Sequence, residues 1–108
     1  MTPDEAMVQW MADPETRAWI ESRPPLVQEA IRRMPPGTWW RLKVGGFGIY
    51  TPYSYGEAED GTVTLTVVRH DPLLPLMSYQ VFGCSPDEFE WTAMDDTTTP
   101  EAFLAATR

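Results

Sequence analysis

The chain has 108 residues, 43 % of them hydrophobic and five of them Trp, which fits one folded domain and is too apolar for a disordered chain. No apolar run approaches the roughly 20 residues of a membrane span. Acids outnumber bases 16 to 8, and residues 85–108 alone hold six acids and one base. That sign opposes a groove tracking phosphates, so direct binding to nucleic acid or an anionic membrane is not expected.

The first third reads as helices. Thr2-Pro3-Asp4-Glu5 is a capping box, with Met7, Trp10 and Met11 following at helical spacing. Asp13-Pro14-Glu15 restarts a helix, with Trp19 and Ile20 as its expected buried residues, and Arg23-Pro24-Pro25 breaks it. A third helix is predicted from about Pro25 to Arg33, with Val27, Ala30, Ile31 and Met34 on one face. Pro35-Pro36-Gly37 ends it. None of these helices is long enough to persist alone in water.

The middle reads as strands. Trp39 to Val44 alternates, with Trp40, Leu42 and Val44 as its expected inner face. Gly48 to Tyr55 forms a hairpin with the next strand across the Glu59-Asp60-Gly61 turn, and Pro52 calls for an edge or a bend. In Thr62 to Val68 the inner residues are Val63, Leu65 and Val67, with the threonines outward. Ser78 to Phe82 is a fourth strand and Phe89 to Ala93 a fifth. Ser85-Pro86-Asp87-Glu88 repeats the capping pattern between them, with room for one 3₁₀ turn. After Met94 come a polar link, Asp95 to Thr99, and a short helix to about Ala106.

Five short strands with a 3₁₀ turn between the last two resemble an SH3-like barrel over roughly residues 37–94. The fold expected is therefore α+β: a five-stranded SH3-like barrel with N-terminal helices packed on it and a short C-terminal helix. The single domain 1–108 divides into a helical part (1–36), the barrel (37–94) and an acidic tail (95–108). The string from Pro35-Pro36-Gly37-Thr38 through Val81-Phe82-Gly83 to Asp87-Glu88-Phe89-Glu90 also resembles small uncharacterised proteins of bacteriophages and prophages.

Chemistry is sparse. His70-Asp71 with Cys84 is the one set resembling a nucleophile, base and orienter, but adjacent side chains on a strand point apart. One Cys and one His fall short of a structural zinc set. Gly45-Gly46-Phe47-Gly48 lacks the Lys and Ser/Thr of a phosphate loop. No enzyme, no metal and no cofactor are expected. Asp71-Pro72-Leu73-Leu74-Pro75-Leu76 reads as a stiff apolar loop that covers one end of the barrel. A single Cys and a start without an apolar leader point to the cytoplasm.

The aromatics say more. Trp39, Trp40, Phe47, Tyr50, Tyr53 and Tyr55 crowd into 17 positions, more than alternation can bury. The expected partner-binding surface is Phe47, Tyr50, Tyr53 and Tyr55, rimmed by Glu59 and Asp60 with Glu57. An apolar centre with an acidic rim suits a protein partner with a basic surface; exposed aromatics near the first long loop are also what the SH3-like resemblance implies. The expected function is a small non-enzymatic protein-binding module, a phage or prophage accessory protein. The competing reading is an acidic nucleic-acid mimic that inhibits a nuclease or a DNA-binding host defence protein.

Overall fold

The computed structural model describes residues 2–45, 48–70 and 78–93. Helices α1 (Pro3–Ala12), α2 (Pro14–Glu21) and α3 (Pro25–Arg33) precede strands β1 (Trp40–Leu42), β2 (Ile49–Glu57), β3 (Val63–His70), β4 (Ser78–Cys84) and β5 (Phe89–Trp91), with a 3₁₀ turn at Pro86–Glu88. The class is α+β, as expected. The short C-terminal helix and the Asp71–Leu76 loop fall outside the described residues.

The helix starts follow their caps. The Thr2 hydroxyl accepts the Glu5 backbone N–H at 3.2 Å, and the Asp13 carboxylate accepts that of Thr16 at 3.1 Å. Each of α1, α2 and α3 has Pro in its first turn, where a missing N–H costs nothing. The 3₁₀ turn is held by the reciprocal pair expected from its sequence: the Ser85 hydroxyl accepts from the Asp87 N–H, and the Glu88 carboxylate accepts from the Ser85 N–H at 2.7 Å.

The strands form one antiparallel sheet in the order β4-β3-β2-β1-β5. The sheet is not closed into a barrel, which corrects the expectation of a barrel. β4 and β5 lie at its two ends, and the 3₁₀ turn carries the chain from one edge to the other. β1 and β5 have three residues each, too little ladder to bring the far edges together. The core that closure would seal is covered by α3 instead. Met34, just past α3, is buried with Trp40, Tyr50, Leu65, Val67 and Phe89.

Pro52 sits inside the sheet at a bend. The ladder between β2 and β3 shifts between Pro52 and Ser54, leaving Tyr53 as the extra residue of a bulge. Trp40 pairs with Tyr50, so Pro52 lies beyond the start of β1 and its missing donor interrupts no bond to that strand.

A second core joins the helices: Ile20, Val27 and Ile31, with Met7, Trp10, Met11 and Tyr55 packed on it. The Trp10 indole N–H donates to the Pro36 carbonyl at 2.8 Å, pinning α1 to the Pro35-Pro36-Gly37 stop. Two expected core residues lie outside. Trp19 is 47 % exposed, because the short α2 buries Ile20 and its neighbour is rotated by roughly 100°; its indole lies beneath the Arg23 guanidinium, 5.1 Å from the ring centre. Val44 is 88 % exposed because β1 ends at Leu42. Val63 is half-buried, while Leu65 and Val67 are sealed.

Candidate functional site

The residues expected to form one aromatic surface do not come together on the outside. Tyr50 is buried, which corrects its assignment to a partner surface. Its ring meets Phe89 edge-on at 5.4 Å, and the Arg69 guanidinium lies 5.9 Å from its centre. Tyr55 is half-buried and structural: its hydroxyl donates to the Met34 carbonyl, and burial pushes its pKa far above the usual phenol value. This too corrects the expectation. Tyr53 is exposed on the bulge of β2. Phe47 lies outside the described residues.

Glu57, Glu59 and Asp60 are exposed at the turn between β2 and β3. Asp60 braces that turn by accepting from the Thr62 hydroxyl at 2.6 Å and the Thr62 N–H at 3.1 Å. These bonds, the hydroxyl first, hold its carboxyl below the usual carboxylate value.

This turn forms one wall of a cleft of about 370 Å³, with Gly61, Thr62 and Val63 on one side. The face of α3 that carries Leu26, Glu29, Ala30 and Arg33 forms another wall, and Ser85, Pro86 and Asp87 of the 3₁₀ turn the third. Leu26 is 42 % exposed and Pro86 is buried, so the cleft has an accessible apolar side and a packed base. Arg33 and Asp87 form an ion pair across it. That pair joins α3 to the 3₁₀ turn and, through the hydrogen bond and then the charge of Arg33, holds the Asp87 carboxyl below its usual pKa. Glu29 remains exposed on the α3 wall. The cleft thus combines accessible apolar surface at Leu26 with the exposed carboxylate of Glu29 and the paired charges of Arg33 and Asp87. Sequence reasoning found the turn but missed the cleft; the usable signal was Leu26 and Glu29 on the face of α3 opposite Val27 and Ile31.

Cys84 and His70 are not neighbours. Cys84 pairs with Leu65 across the ladder, and His70 lies five residues further along β3, about 16 Å away at the usual rise per residue. An odd number of residues also sets them on opposite faces. The Cys84 thiol contacts the Val81 and Phe82 carbonyls at 3.7 and 4.0 Å. Burial first, then the charge of Glu88, raises its pKa, which disfavours the reactive thiolate. The His70 ring packs 5.5 Å from that of Trp39. Among the described residues, no group of three His, Cys, Asp or Glu is placed to hold a metal ion, and no helix is long and apolar enough to cross a membrane.

No protein-family model, no curated protein and no solved structure matches this chain.

Proposed function

We propose that this chain is a small non-enzymatic protein-binding module that receives a basic, partly apolar segment of a partner in the cleft between α3, the β2–β3 turn and the 3₁₀ turn. The observation that carries the reading is the composition of that cleft: Leu26 accessible within it, Glu29 exposed on its α3 wall, the ion-paired Arg33 and Asp87 across it, and a further wall, Gly61 to Val63, that follows directly on the exposed acids Glu59 and Asp60 in sequence. An apolar centre confers affinity, and the acids steer a basic partner toward it. The scaffold is an open five-stranded sheet whose strand order, and whose 3₁₀ turn before β5, support a relationship to SH3-like folds. The resemblance to phage and prophage proteins favours an accessory role in the cytoplasm of a bacterial host.

Panning a random peptide library against the immobilised chain tests this. Peptides that combine an apolar residue with flanking Lys or Arg should be enriched. Leu26→Asp should weaken them by roughly 1–3 kcal/mol, and Glu59→Lys with Asp60→Lys should chiefly slow their association. Enrichment without basic residues, or binding indifferent to Leu26→Asp in a folded variant, rules the reading out.

A further inference from the structure

The three helices leave a second depression on another side of the molecule. Asp4, Met7, Val8 and Met11 of α1, Ile20 of α2, and Gln28 and Arg32 of α3 line a groove of about 450 Å³. The four α1 residues are spaced i, i+3, i+4 and i+7, one continuous helical face. The Ala6 and Trp10 side of α1 is used to hold the fold: Ala6 is buried and Trp10 is tied to Pro36. On the Asp4–Met11 face, Met7 and Met11 pack on the helical core with part of their side chains, while Asp4 and Val8 stand clear of it. Val8 is 73 % exposed on this face, between half-buried Met7 and Met11.

The charges that line this groove balance. The chain as a whole carries −8, which opposes close approach of two copies at most points of the surface. The groove carries one acid and one base, Asp4 on the α1 wall and Arg32 on the α3 wall. Neither makes an ion pair among the described residues. A patch with an acid on one side and a base on the other is complementary to itself. When two copies meet about a twofold axis, the acid of each faces the base of the other.

We propose that this groove is a homodimer interface, in which the α1 helices of two copies pack antiparallel with Val8 near the twofold axis. Val8 of each copy enters the groove of the other between Met7 and Met11, whose flexible side chains adapt to it. Asp4 of each copy pairs with Arg32 of the other. This interface is separate from the cleft assigned to the partner, and neither proposal depends on the other.

Sedimentation velocity over a concentration series reads the outcome. The native chain should move from monomer to dimer as its concentration rises. Val8→Glu should shift the midpoint at least tenfold upward; at so exposed a position it leaves the fold intact, as far-ultraviolet circular dichroism will show. Asp4→Arg and Arg32→Glu should each weaken the dimer, and the double variant should recover it. In a Cys84→Ser background, Val8→Cys should oxidise to a covalent dimer. A chain that stays monomeric up to its solubility limit overturns the proposal. So does a dimer indifferent to Val8→Glu, or a charge-swapped double variant no better than the single ones.

Discussion

The hydroxyl of Tyr55 donates a hydrogen bond of 2.5 Å to the carbonyl oxygen of Met34, and that bond ties the middle of the sheet to the end of α3. Tyr55 packs on both cores of the molecule. Tyr55→Phe keeps the ring and removes the donor, leaving the Met34 carbonyl without it. The expected loss is about 1–3 kcal/mol, measured by urea denaturation with an unchanged slope.

The same phenol makes stability fall at alkaline pH. Its folded pKa lies above the unfolded value of 10.0. Below pH 10 both states keep the proton and stability is flat with respect to this group. Above it the unfolded chain loses the proton first, so stability falls as pH rises. Denaturation midpoints between pH 9 and 11.5 should show this decline, and Tyr55→Phe should flatten it.

The acid limb has the opposite sign. Asp13, Asp60 and Asp87 all titrate below the usual 3.8, held down first by the Thr16 hydroxyl, the Thr62 hydroxyl and the Arg33 hydrogen bond respectively. Their contribution is complete above the unfolded value and is lost as pH falls through the lower folded ones. All three carboxylates face solvent, so added salt should reduce the Arg33–Asp87 share. Asp87→Asn should shallow the dependence of stability on pH below 4, and less so in high salt.

Leu65 and Val63 sit two residues apart on β3 but differ in burial, the first sealed and the second half-buried. Leu65→Ala should cost about 2–5 kcal/mol, and Val63→Ala about 1 kcal/mol or less. Equal losses in thermal or chemical denaturation would place the inner face of β3 elsewhere.

Two glycines should separate in the same way. Gly48 has φ +114°, and a Cβ there would stand 2.9 Å from the His70 carbonyl oxygen; Gly45 has φ +66° and open space around it. Gly45→Ala should cost about 1–2 kcal/mol from backbone handedness alone. Gly48→Ala should cost more, since the backbone it meets cannot swing aside. The ranking of the two melting temperatures checks this.

Much of the fold is legible in the sequence because it is local. The caps at Thr2, Asp13 and Ser85, the stop at Pro35-Pro36-Gly37, and the alternation around Leu65 each act within a few residues. What is not legible depends on partners distant in the chain. Ile49 and Tyr50 are adjacent and both buried, which alternation forbids unless both faces of the strand are covered at that point. Counting inward positions therefore overstated how many aromatics must be exposed. Trp19 misled in the other direction, since its size suggests a core and only the placement of α2 sends it outward. The cleft was invisible for a similar reason: Leu26, Thr62 and Pro86 meet only when three separate segments are brought together.

The strand order also gives the sheet a sequence of assembly. β2, β3 and β4 follow one another, and the turn between β2 and β3 closes on itself through Ala58, Gly61 and Thr62. β1 can join β2 from ten residues away through Trp40 and Tyr50, but β5 must reach back to β1, since Trp40 pairs with Trp91 about half the chain away. Closing so long a loop loses chain entropy before the three-residue ladder returns anything. The β2–β3 hairpin is thus the natural nucleus, and docking of β5 is a late step. Val67→Ala should slow folding, whereas Phe89→Ala should mainly hasten unfolding. The seam between β1 and β5 is then the first part of the sheet to open in the native protein.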